Sequence, residues 1–186
     1  MLPGYPLLLA SATADSVALT NSTVATTIMA PSGLATVPAG TLQTGSALKI
    51  LLRGRISTLA TTPGTLTFDL RIGGIVVSAL GAMPLNITAQ VNAIFELELL
   101  AVVRALGTVT AANAMVTGRF TSRALVGSVL PANGGPMTII LPDTAPAVGP
   151  GFDSTITMPL NVFATWSVAS ASNSIQTHQS IIELKV

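Results

Sequence analysis

Glu96 and Glu98 are the most closely spaced carboxylates in the chain. With i, i+2 spacing on a strand they project to the same side, on the order of 7 Å apart. Glycoside hydrolysis uses two carboxyls separated by roughly 5–9.5 Å. Catalytic carboxylates, however, normally come from different elements with different environments, so an ion-paired or solvated strand face is the competing reading. The single histidine, His178, sits in Ser174-Ile175-Gln176-Thr177-His178-Gln179. A metal there would need carboxylates or symmetry mates as further ligands, one solution being a trimer axis with one histidine per chain. The plainer reading is a strand-face histidine hydrogen-bonded within the sheet. Trp166 could stack on a sugar, but it alternates within an apolar run and reads as core. Tyr5 could be buried or exposed. Arg119 and Arg123 flank Phe120, either as contacts to a partner subunit, since arginine is enriched at interfaces, or as an ordinary surface pair.

Other chemistry is missing its parts. No G-x-G-x-x-G follows a strand and opens a helix, and there is no P-loop lysine and no G-x-S-x-G elbow. Zero cysteines exclude a disulfide framework and thiolate chemistry. One histidine makes a histidine-based metal site or a Ser-His-Asp triad hard to build. The expectation is no enzyme, with no catalytic, metal-binding or cofactor-binding residue and no cofactor.

Among 186 residues, only 8% are charged while 49% are hydrophobic, against about 25% charged in an ordinary soluble chain. Mean hydropathy is +0.71. Eight Lys/Arg against seven Asp/Glu leave a net charge of +1, and the cations are scattered from Lys49 to Lys185, so no nucleic acid is expected as a partner. An apolar, nearly neutral chain is not disordered by charge. Its Ser, Thr, Asn, Gln and Gly must supply most of the wetted surface, and the easiest resolution is that sister chains or a larger assembly cover much of it.

The best candidate for a membrane span, the uncharged stretch from Ile72 to Phe95, contains Gly73, Gly74, Gly81, Pro84, Asn86, Gln90 and Asn92, so no membrane is expected. The opening Leu7-Leu8-Leu9-Ala10 patch precedes an A-x-A-like site, Ala12-Thr13-Ala14. No basic residue stands before Lys49, which argues against a secretory leader.

The elements that must position these residues alternate with a period of two. Leu66, Phe68, Leu70 and Ile72 fall on one face, with Thr65, Thr67, Asp69 and Arg71 on the other: a half-buried antiparallel strand. Leu48, Ile50, Leu52, Gly54 and Ile56 oppose Lys49, Leu51, Arg53 and Arg55. Phe95, Leu97 and Leu99 alternate with Glu96 and Glu98, so the basic face of one run and the acidic face of the next are natural partners. Further strands are expected over 24–29, 75–80, 108–120, 136–141, 160–168 and 175–186. Turn signals separate them: Pro31-Ser32-Gly33, Pro38-Ala39-Gly40, Thr62-Pro63-Gly64, Gly73-Gly74, Asn133-Gly134-Gly135 and 146–151. Eight to ten short strands without a substantial helix read as an all-β antiparallel sandwich or barrel. Residues 1–15 read as an N-terminal arm, with a plain edge strand as the alternative, and residues 16–186 as one domain.

The run Thr65-Leu66-Thr67-Phe68-Asp69-Leu70-Arg71-Ile72-Gly73-Gly74 resembles a strand of small virion proteins of tailed bacteriophages. So do its surroundings: 48–55 ending near Gly54, the stretch from Gly107 to Arg119, and the C-terminal segment from Trp166 through Ser174-Ile175 to Ile182-Glu183-Leu184. The resemblance covers about 40–186. It implies a jelly-roll or TNF-like sandwich, commonly a homotrimer, on the capsid or tail, and it carries over no functional residue. A capsid decoration (cement) protein contacting itself and the major capsid protein is then the leading expectation. Candidate contacts are Leu7, Leu8 and Leu9, Arg53 and Arg55, Arg119 and Arg123, and His178. The alternative is a tail-fibre or head-fibre tip binding a host glycan or receptor, which predicts a groove with exposed Trp166, Asn161 or Asn173. A bacterial surface adhesin would need export, and a hydrolase would need Glu96 and Glu98.

Overall fold

Alternation sets the layers. Leu66, Phe68, Leu70 and Ile72 are fully buried, while Thr65, Thr67, Asp69 and Arg71 between them stay partly accessible. The computed structural model describes residues 6–128 and 135–186; Tyr5 and the Asn133-Gly134 part of one expected turn lie outside them. Twelve strands form among those residues: β1 (Leu7–Ser11), β2 (Leu19–Thr20), β3 (Thr26–Thr27), β4 (Ala35–Val37), β5 (Ala47–Thr58), β6 (Thr65–Ile72), β7 (Ile75–Pro84), β8 (Gln90–Ala105), β9 (Asn113–Ser122), β10 (Met137–Leu141), β11 (Met158–Trp166) and β12 (Ser174–Lys185). The described residues contain one helical turn, a 3-10 turn at Pro31–Gly33.

The strands make two antiparallel sheets. One runs β1-β12-β5-β8-β9-β10, with β2 also on β12; the other runs β3-β11-β6-β7, with β4 also on β11. β1 and β2 lie along successive parts of β12, and β3 and β4 along successive parts of β11. Twelve strands therefore occupy ten lanes. The expected eight to ten is an undercount in strands because each N-terminal lane is broken in two. The lanes β1/β2-β12-β5-β8 face β3/β4-β11-β6-β7, the order of a jelly roll, and β9 and β10 widen the first sheet.

Some boundaries differ from expectation. Leu7–Ser11, read as part of an arm, is an edge strand hydrogen-bonded to β12. The strand expected from Thr108 starts at Asn113 instead. Residues 108–111 close a turn, with the Ala111 N–H donating to the Thr108 carbonyl and Val109 at φ 59°. The strand expected over 24–29 shrinks to two residues, and the one from Ile75 continues to Pro84.

Buried side chains from both sheets close the core. Phe120 on β9 packs against Phe68 of the facing sheet, with ring centroids 5.1 Å apart, and against Phe95 on β8 at 5.8 Å. Trp166 is wholly buried, its indole N–H donating to the Leu19 carbonyl at 3.4 Å. The β6–β7 hairpin turns on Gly73 and Gly74, at φ 61° and 84°, the pair of positive values a type I′ turn requires. In the other sheet the register of β12 on β5 slips between Thr177 and Gln179. Gly54 lies opposite, and a Cβ there would run into the Gln176 carbonyl oxygen. Only glycine lets the two backbones approach so closely.

Candidate functional site

The three central strands of the larger sheet concentrate charge on their outer face. β5 and β8 pair in a register that sets Arg53 opposite Glu96 and Lys49 beside Glu98, while β8 and β9 set Glu98 opposite Arg119. The ammonium of Lys49 lies 3.1 Å from Glu98, and the Arg53 guanidinium 2.7 Å from Glu96. Arg119 bridges both acids, at 2.7 Å to Glu98 and 3.7 Å to Glu96. The expected meeting of a basic and an acidic strand face is thus realised. One connected network takes up three of the eight cations and two of the seven anions.

The Lys49 ammonium, hydrogen-bonded to Glu98, holds that carboxyl below the usual carboxylate range; Arg119 adds to the effect, and partial burial opposes it. A general acid needs the opposite environment, one that raises its pKa. Asp153 is also held down, by the Thr155 hydroxyl first and by the backbone N–H groups of Val109 and Thr155.

The remaining candidates scatter around this network. Arg55 donates twice to the Gln176 amide oxygen, at 2.7 and 3.1 Å. Arg123, just past β9, lines a groove of about 610 Å³ with Gln90, Asn92, Ile94, Glu96 and Pro136. A second hollow of about 270 Å³ brings Arg53 beside Ser11, Leu51 and Ile181. His178 sits at the β12 bulge, its Nδ1 2.9 Å from Asp15. Leu7 and Leu8 are exposed on β1, whereas Leu9 packs partly against the core. The structure therefore joins Arg53 to Arg119, brings Arg123 near them, and leaves His178 and the three leucines on the β1–β12 side.

The sugar groove with an exposed tryptophan is not formed. Trp166 and Asn173 are both fully buried, and Asn161 is partly buried, accepting from the Thr27 hydroxyl at 2.6 Å. Among the described residues no cluster of three or more His, Asp or Glu side chains could hold a metal ion. No helix of the described residues is long and apolar enough to cross a membrane.

One cluster has no local signal in the sequence. On the outer face of the smaller sheet, the Arg71 guanidinium lies 3.8 Å over the Phe163 ring and 3.3 Å from Asp69. The pairing that builds it, β6 on β11, sets Asp69 opposite Phe163 and Arg71 opposite Asn161. Period two places Arg71 and Phe163 on outer faces but does not reveal that their strands are neighbours.

Charge is thus spread unevenly between the two outer faces, and many aliphatic side chains remain in contact with water. No protein-family model matches the chain, and no curated protein matches it. Among solved structures, the CBM2 module of the evolved Dit of Lactobacillus casei BL23 phage J-1 is similar at 13% identity and a TM-score of 0.33, over 82% of this chain and 69% of that one. A likeness so slight carries nothing about the role of this chain.

Proposed function

We propose that this chain is a structural protein of a tailed-phage particle: a capsid decoration (cement) protein that works as a homotrimer and takes no part in catalysis. The observation that carries this reading is a charge-poor chain whose folded surface still holds isolated aliphatics. Val17, Val91, Ile94 and Ile140 are 76–82% exposed on a molecule with 8% charged residues. Covering such side chains against sister subunits and the major capsid protein is favourable at about 25 cal/mol per Å² of apolar surface. Many modest contacts acting together brace a shell that no single contact could hold. The resemblance of the β6 hairpin and its surroundings to small virion proteins supports the same assignment.

The test is reconstitution. Purified chain is added to phage capsids stripped of accessory proteins, and binding and resistance to heat are measured. Saturable binding at many sites, with a raised disruption temperature, is the expected result. Correctly folded chain that leaves capsids bare and equally fragile overturns the proposal.

A further inference from the structure

A sheet edge exposes unpaired N–H and C=O groups, and natural sheets blunt their edges with charge, proline, bulges or short strands. The smaller sheet follows that rule. β7 slips register with β6 twice, holds Gly81 at φ 83° and ends on Pro84. The opposite lane is broken into β3 and β4 around the Pro31–Gly33 turn.

The larger sheet follows it less closely. β10, Met-Thr-Ile-Ile-Leu, pairs with β9 over five residues in unbroken register. β1, Leu-Leu-Leu-Ala-Ser, has the same length and one bulge, between Leu8 and Ala10. Neither edge strand carries a charge or a proline. The charges of this sheet lie on the lanes between them, where edge protection gains nothing: three on β5, three on β8, one on β9 and two on β12.

The two edges also match in direction and chemistry. Six antiparallel lanes make β1 and β10 run in opposite senses. A copy rotated about an axis along the strands therefore presents its β1 antiparallel to β10, continuing the alternation. Ile140, opposite Arg119, and Leu8, opposite Glu183, stand on the same outer face. They are 76% and 56% exposed, the most exposed large aliphatics of their strands.

The geometry points to a head-to-tail contact in which β1 of one copy pairs with β10 of the next. This rests on the reading of the chain as a homo-oligomer and names the surface that builds it. Such a heterologous contact closes into a ring when each step rotates by a third of a turn. Joining the edges satisfies both rows of backbone groups and covers Leu8 with Ile140 of the neighbour.

Sedimentation of the full chain tests it, using Ile140→Lys, Leu8→Glu and the double variant, with circular dichroism to check the fold. Wild type is expected at three times the 18.8 kDa chain mass. Each single variant is expected at the chain mass, with the double variant restored because the two new charges attract across the joint. A folded single variant that keeps the wild-type mass overturns the contact. So does a double variant that stays dissociated, as pairing of β10 with β10 about a twofold would leave it, and so does a wild type that sediments as one chain. Capsid binding separates the two claims: an unchanged oligomer in Ile140→Lys that still coats capsids removes the edge contact and leaves the virion role standing.

Discussion

Replacing Asn173 by alanine is expected to cost more than any other single polar truncation described above. Asn173 is 0% exposed. Its amide oxygen accepts from the Leu59 N–H at 2.8 Å, and its amide nitrogen donates to the carbonyls of Val168 at 3.1 Å and Pro63 at 3.3 Å. The side chain therefore ties together the exits of β5 and β11 and the entry to β6. Each such bond contributes about 0.5–1.5 kcal/mol net, with a further cost when a buried partner is left unsatisfied. Three bonds, softened where water reaches the loop ends, give an expected loss of about 2–4 kcal/mol for Asn173→Ala. For a chain of this length that lowers Tm by about 2–4 °C per kcal/mol, or about 6–12 °C for a loss near 3 kcal/mol. Urea and thermal unfolding at one fixed protein concentration measure it, because in any protein that self-associates Tm depends on concentration. Asn173→Asp sharpens the test: it keeps the acceptor for Leu59 but turns anionic oxygen towards two carbonyls, so it is expected to be worse than alanine at neutral pH and to recover in acid. A loss under about 0.5 kcal/mol for the alanine variant, with m unchanged, would refute the reasoning.

The remaining predictions concern the sheets themselves. Gly54→Ala forces a Cβ against the Gln176 carbonyl and the Thr177 Cα, both backbone, and is expected to destabilise by about 1–3 kcal/mol in chemical denaturation. Phe120→Ala empties the centre of the aromatic cluster, with an expected loss of about 3–5 kcal/mol and no change in sedimentation once folded. Arg119→Gln removes one arm of the surface ion network and is expected to cost about 0.2–1 kcal/mol, fading in 1 M salt. Because the folded-state pKa of Glu98 is depressed, its contribution is fully present above the unfolded carboxylate value and is lost as pH falls through the folded one. Glu98→Gln should therefore lower the neutral plateau slightly and flatten the acid limb of a stability–pH curve, with the variant and the wild type converging at low pH where Glu98 is protonated.

Much of this fold was legible because a half-buried strand has only one repeating pattern to show. The β5, β6 and β8 runs placed Leu48, Phe68 and Phe95 inside, and the charges between them outside, as found. The meeting of Lys49 and Arg53 with Glu98 and Glu96 was legible as complementarity, although adjacency had to come from the structure. Arg119 joined the network only because β9 happens to flank β8. The two-residue strand β2 left no signal because its pairing is imposed by β12 rather than by its own side chains, and β3 keeps only the centre of the run expected over 24–29, where it pairs with β11. Asn173 hid in a Ser/Ala/Asn run that reads as a solvated loop; its three partners lie on separate segments, and nothing local announces them. The N-terminal leucines illustrate the reverse: exposed apolar residues without alternation look like an arm, yet the backbone of Leu7 and Leu8 is held in register by Leu184 and Glu183.

A chain covered by sister copies on a viral surface must be present many times in each particle. Counting its copies in purified particles, by density in an electron-microscopy reconstruction together with quantitative protein analysis, addresses that directly. Hundreds of copies, in threefold clusters on the shell, are the expected result. A handful of copies at the tail or a fibre tip contradicts the decoration role, and absence from the particle contradicts the virion assignment itself.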